Sequence, residues 1–240
     1  NAPFAVIRAA TLYVLRVVAA EAIPLNEGAL ERVDLICPNG FLDPPFEGHA
    51  ESDPAVAIGN TETSQRVVDA LLRCFGVVAG SQGTMNNLLL GNDRFGYYET
   101  ICGGTGAGPG FDGCDAVHSH MTNTRLTDPE VLEHRYPIRL ESFSIRRGSG
   151  GRGRHRGGDG VVRIIRATET LQGSLLGQHR VERPYGLEGG DPGKAATACI
   201  ERADGSIQLM PGIAAFDLRP EDRLRIETPG GGGFGVPAEA

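Results

Sequence analysis

Thirty-five glycines and fifteen prolines limit what this chain can fold into more than any single motif does. Together they make up about a fifth of 240 residues, against roughly 12% in an average protein. Glycine accepts positive φ and lets backbones approach closely, while proline fixes φ and removes a donor. Such a chain is expected to be rich in tight turns and backbone-lined loops, and poor in long helices. Aliphatic and aromatic residues still make up 40%, enough for a packed core in one large domain or two modest ones.

The formal net charge of −7 argues against general attraction to nucleic acid or to an anionic membrane surface. No stretch approaches the roughly 20 apolar residues of a membrane span. Cys37, Cys74, Cys102, Cys114 and Cys199 are scattered and form no C-x-x-C. A disulfide framework or zinc site is therefore not expected, and a reduced cytoplasm is. The chain starts Asn1-Ala2-Pro3 without Met, basic n-region or an N-terminal Ser, Thr or Cys. It reads as an incomplete piece of a larger soluble enzyme, inactive alone.

Apolar spacing predicts a helix over 3–21, with Phe4, Ile7, Thr11, Val14 and Val18 on one face. A short strand is expected over 33–37, and a proline-punctuated loop over 41–57. Gly59-Asn60-Thr61-Glu62-Thr63-Ser64 supplies capping side chains to a helix with Val67, Val68, Leu71, Leu72 and Phe75, which Gly76 closes. Tyr97–Cys102 is a strand candidate. Thr127-Asp128-Pro129-Glu130 starts a short helix ended by Pro137. From residue 138 the period becomes two. Strands are expected over 138–145, 160–166, 171–178, 195–202, 206–210 and 223–228, with a hairpin turn at Ala203-Asp204-Gly205. The fold class is α+β: a helix-containing part with short strands (1–137), then a β-rich module (138–240).

Several stretches could carry chemistry. The glycine run 103–110 closes no G-x-G-x-x-G register, because Pro109 stands at the third glycine, and no Walker A occurs. A structural turn and a phosphate-contacting loop both remain open for it. His118-Ser119-His120, if extended, points both rings to one face, and Asp115 and Glu99 could add oxygen donors. Against that stands an ordinary hydrogen-bonded loop. Gly80 to Asn87 offers amide and hydroxyl groups able to orient a carboxylate or an amide. The arginine-rich stretch 146–160 lies between two strand patterns and is expected to be an ordered connection facing a partner or an anion, not an RNA-binding tail.

Taken in order, Gly59-Asn60-Thr61-Glu62-Thr63-Ser64-Gln65-Arg66, Ser81-Gln82-Gly83-Thr84-Met85-Asn86-Asn87, Tyr97-Tyr98-Glu99-Thr100, His118-Ser119-His120-Met121-Thr122-Asn123-Thr124-Arg125, Arg146 through Gly160, and Thr228-Pro229-Gly230-Gly231-Gly232-Gly233-Phe234-Gly235 resemble the hydantoinase B/oxoprolinase family. Within it the likeness is strongest to the C-terminal part of ATP-dependent 5-oxoprolinases. The resemblance implies ATP-dependent opening of a lactam, with 5-oxoproline giving glutamate, ADP and phosphate. An unstrained lactam is a resonance-stabilised amide, and phosphorylating its carbonyl oxygen makes the carbon electrophilic. N-methylhydantoinase, ketone carboxylase and a non-catalytic assembly module are the alternatives. The resemblance further implies ATP and Mg²⁺ bound mainly by a hydantoinase A-like ATPase half, and K⁺ or another metal bound outside this chain. An upstream part of the B half and an oligomer are implied too. For the site it implies Glu99, His118 and His120 at the reacting centre. Asn86, Asn87 and Asn123 would orient the lactam, and Arg146 and Arg147 would meet anionic groups or the partner half.

Overall fold

A computed structural model describes residues 1–238. Three α-helices and nine strands confirm the α+β class: α1 (Phe4–Val18), α2 (Gln65–Phe75), β1 (Asn87–Asn92), β2 (Phe95–Glu99), α3 (Pro129–Arg135), β3 (Ile138–Ile145), β4 (Val161–Ala167), β5 (Leu171–Leu176), β6 (Thr197–Glu201), β7 (Ile207–Leu209), β8 (Ile213–Leu218) and β9 (Arg223–Glu227). Two antiparallel sheets form, with strand orders β2-β1-β5-β8 and β3-β4-β9-β6-β7. The first sheet crosses the expected change of character at residue 138, because β1 pairs with β5 from Asn87↔Leu176 to Gly91↔Gln172.

Alternation places Val161, Arg163, Ile165 and Ala167 of β4 on one buried face. They join Leu88 and Leu90 of β1, Leu171 and Leu175 of β5, and Leu224 and Ile226 of β9 around a common core. Arg163 lies inside it and reaches Glu99 at the end of β2, so one ion pair ties the sheets together. A smaller apolar cluster, Ala10 and Val14 with Val68 and Leu72, holds α1 against α2.

Several local expectations hold. Gly76 closes α2 at φ 69, Asp128 accepts from the N–H groups of Glu130 and Val131, and Gly205 turns the β6–β7 hairpin at φ 85. Others are corrected. Residues 33–37 form no strand, since no neighbouring strand offers them a ladder. Phe75 is exposed at the end of α2. Strands β1 and β8 appear where none was expected. Gly59–Ser64 forms a π-helical turn leading into α2, without side-chain caps, and it follows Ile58 at φ 58. Ser64 Oγ instead donates back to Asn60 O at 2.6 Å.

The glycine-rich stretches lie side by side as extended backbone. Gly104 N donates to Pro229 O at 3.0 Å, Ala107 N to Gly232 O at 3.0 Å, Gly158 N to Thr105 O at 2.9 Å and Gly231 N to Gly158 O at 2.8 Å. A Cβ on Gly158 would stand 1.9 Å from Cys114 O, and one on Gly106 would stand 1.8 Å from Ala79 O. These are packing glycines, needed for close approach. Gly158→Ala should therefore destabilise the protein by about 3 kcal/mol in chemical denaturation, because a main-chain neighbour cannot step aside. Gly96→Ala meets nothing within 4 Å and should stay within about 1 kcal/mol of wild type.

Candidate active site

Residues 79–88 are buried without interruption although seven of them are polar or glycine. Such a run needs internal partners, and the π-helical turn, α2 and the loop 116–122 provide them. Glu62 is 1% exposed. Its Oε1 accepts from Thr84 Oγ1 at 2.7 Å and from Asn87 Nδ2 at 2.9 Å. Its Oε2 is buried and has no partner among the described residues. Tyr98 OH donates to Asn87 Oδ1 at 2.6 Å, which fixes that amide's orientation. Burial pushes the Glu62 carboxyl up to about 7, against the lowering effect of Thr84, Met85 N–H, Asn87 and the Arg66 charge.

One turn along α2, Asp69 accepts from Ser81 N at 3.2 Å and meets His120 Nε2 at 3.2 Å. Arg66 Nη1 contacts His179 Nε2. A guanidinium only donates, so this nitrogen accepts, and the His179 proton resides on Nδ1, which donates to Glu182 O at 2.6 Å. Burial first, and then the Arg66 charge, lower the His179 pKa and keep the ring neutral. Gly83 adopts φ 60, and a Cβ there would lie 2.6 to 2.9 Å from His179 Nε2, Arg66 Nη1 and Asp69 Oδ2. Only glycine lets these three groups converge. Residues 83 and 84 thus join the Glu62 and Asp69 clusters into one buried polar site.

The residues assigned by resemblance are dispersed around this site. Asn87 contributes directly. Asn86, at φ 46, donates to Gln82 Oε1 and Ile101 O and so braces the floor. His120 pairs with Asp69. His118 is half-buried, and burial lowers its pKa. The segment is not extended, since Ala116 and His120 have φ 53 and 51, so the two rings do not follow the strand alternation that would set them on one face. Glu99 is engaged by Arg163 at 2.8 and 3.0 Å and by Tyr97 OH at 2.7 Å, all in the core. Asn123 is exposed. Arg146 binds Glu227 at 2.9 Å and the carbonyls of Ala195 and Thr228. Arg147 is exposed, with no ion pair among the described residues. Sequence reading gave Tyr13, Asp69 and His179 no role, and took Glu62 and Arg66 only as a capping side chain and a motif position. Glu62 and Arg66 stood in the first motif that carries the resemblance, and Asp69 showed as a charge beside the apolar positions Val68 and Leu72.

The glycine run 103–110 holds no anion cradle. The N–H groups of Gly103 through Gly108 are all donated within the chain: to Val117 O, Pro229 O, Cys114 O, Ser81 Oγ, Gly232 O and Phe111 O. Among the described residues no group of three or more His, Cys, Asp or Glu could hold a metal ion, and no helix is long and apolar enough to cross a membrane.

The profile of the hydantoinase B/oxoprolinase family matches residues 1–237. The chain belongs to that family. It is 45% identical over 236 residues to a 5-oxoprolinase of Dictyostelium discoideum and 47% identical over 236 residues to 5-oxoprolinase 1 of Arabidopsis thaliana. In each case 98% of this chain is covered and only 18% of the relative. Among solved structures, the ATP-dependent caprolactamase of Pseudomonas jessenii shares the fold with TM-score 0.75 at 22% identity, over 96% of this chain and 42% of that one. This member of the hydantoinase B/oxoprolinase family therefore spans under a fifth of the length of these two 5-oxoprolinases.

Two outcomes follow from the geometry. The folded Glu62 carboxyl holds its proton more tightly than the ordinary value of 4.5, so the folded state binds more protons than the unfolded state across that window. Stability should fall as pH rises from about 4.5 to 7, by up to on the order of 3 kcal/mol. Glu62→Gln should flatten that slope in denaturation series measured at several pH values. Glu99→Gln should cost about 3–5 kcal/mol in the same assay, because it leaves the buried Arg163 charge uncompensated.

Proposed function

We propose that this chain is part of an ATP-dependent cyclic amide hydrolase of the 5-oxoprolinase type, and that it supplies residues to the half that opens the lactam. The reaction is 5-oxo-L-proline, ATP and water giving L-glutamate, ADP and phosphate. Identity of 45–47% over 98% of the chain to 5-oxoprolinases carries the reading. The geometry suits it. A small polar amide needs fixed hydrogen-bond partners in a dry site, and Thr84, Asn87, His120 and two buried carboxyls are held rigidly by one another. His118, Asn86 and Asn123 border this region on the same loops, while Arg146 and Arg147 lie on the arginine-rich connection.

The described residues do not fit ATP or its metal. The glycine N–H groups are consumed internally, and no metal-binding group of side chains is formed. In this reading ATP and Mg²⁺ are bound by a hydantoinase A-like half, K⁺ or another metal lies elsewhere, and the working enzyme is a cytoplasmic assembly.

The test is ADP release with and without 5-oxoproline, comparing this chain alone with the complete enzyme. Lactam-dependent release by the complete enzyme only is expected. A complete, ATP-competent enzyme indifferent to 5-oxoproline would sink the assignment and move the substrate to hydantoins or ketones.

A further inference from the structure

Three side chains from three separate elements meet end to end beside the buried site. Tyr13 of α1 places its OH 3.3 Å from His120 Nδ1, and the rings meet edge to face with centroids 5.8 Å apart. His120 Nε2 stands 3.2 Å from Asp69 Oδ1 on α2. The side chains of Asp69 and His120 are 4% and 9% exposed, and Tyr13 is partly buried. The array thus starts at a buried carboxylate and ends at a phenol.

Directions along it are fixed by chemistry. An ionised carboxylate only accepts, so His120 Nε2 carries a proton, and in the neutral ring Nδ1 accepts from the Tyr13 hydroxyl. Several contacts hold this geometry. Ser81 N–H fixes Asp69 Oδ1 at 3.2 Å. Gln65 Nε2 donates to Ser119 O at 3.1 Å and ties the histidine loop to α2. His120 itself has φ 51, a conformation that costs a non-glycine residue free energy and that clusters at functional sites. Arg66 is engaged by His179 and forms no ion pair with Asp69, whose charge is left to His120. A base held by a third group beside a hydroxyl is the arrangement that activates a hydroxyl for proton transfer.

We infer that Tyr13 is a catalytic residue of the lactam-opening step, its phenol taking a proton from the attacking water as it passes its own to His120, with Asp69 as the positioning residue. This rests on the substrate reading above. As the water oxygen bonds to the amide carbon, one water proton moves to the Tyr13 oxygen and the phenol proton moves to His120 Nδ1. Asp69 stabilises the imidazolium so formed. When the C–N bond breaks, the proton on His120 Nδ1 returns through Tyr13 to the lactam nitrogen, and both side chains end as they began. The phosphoryl group stays on the former carbonyl oxygen as an acyl phosphate that a second water hydrolyses to carboxylate and phosphate. Burial, followed by the Asp69 charge, raises the Tyr13 pKa and keeps the phenol protonated between turnovers.

A purely structural role, joining α1 to α2, makes different predictions in the complete enzyme. Tyr13→Phe keeps the ring packing, and kcat for lactam-dependent ADP release should fall about 100-fold while KM moves by less than about threefold. His120→Gln should fall similarly, and the double variant should lie within about threefold of the worse single one, because the two groups act as a unit. Tyr13→Phe within about twofold of wild-type kcat, or two losses that simply multiply, overturns the relay. If Tyr13→Phe fails to assemble, 3,5-difluorotyrosine at position 13 preserves the shape and alters the phenol's proton affinity. It should change kcat by more than about threefold, and an unchanged kcat overturns the relay. Absence of lactam-dependent release in the wild-type enzyme is a separate failure, that of the substrate reading, and it shows before any substitution is made.

Discussion

Main-chain atoms from separate stretches of this protein touch where most folds place side chains. Gly104, Gly158 and Gly231 each leave less than 2 Å between the position of an absent Cβ and a neighbouring carbonyl oxygen. The hydrogen bonds between these stretches replace a sheet ladder and satisfy backbone groups that burial would otherwise leave costly. The rest of the structure hangs on this contact. Gly232 N donates to Gly80 O, and Ala79 N to Ala107 O, so the buried run 79–88 is anchored to the weave at its start. It runs directly into β1, so the same contact also sets the first sheet against the site.

The electrostatics of the site follow from that burial. Charged groups excluded from water must be paired or must neutralise. Glu99 and Arg163 pair, and their bidentate contact lets two charges sit in the core. Glu62 follows the other route: its carboxyl rises to about 7 and takes hydrogen bonds on one oxygen only. His179 stays neutral so that it can accept from Arg66. Asp69 lies seven residues beyond Glu62 on one continuous helical segment, yet its carboxylate meets His120 and Ser81 N–H while that of Glu62 meets Thr84 and Asn87.

Strand β4 was legible because Val161, Arg163, Ile165 and Ala167 alternate with more exposed residues. Asp128 and Gly76 were legible because capping chemistry acts within a few residues. Strand β1 was not: Leu88, Leu89 and Leu90 form a continuous apolar run whose period cannot be read. Strand β8 carries Ala214, Ala215 and Asp217 with modest alternation, and its place is set by β5 alongside it. Residues 33–37 had strand-like composition without a partner. Glu62 looked like a helix cap, and its burial depends on Thr84 and Asn87, more than twenty residues away.

The sequence by itself determined the α+β class, most strand positions, the glycine dependence and the family, because periodicity, turn chemistry and ordered motifs are all local or linear. Tertiary structure alone decided which polar residues share a site. It withdrew Glu99 into an ion pair with Arg163, closed the glycine run to anions, and brought Tyr13, Asp69 and His120 together from three elements. The reason is physical: a hydrogen bond between residues 51 or 107 positions apart has no period and leaves no trace along the chain.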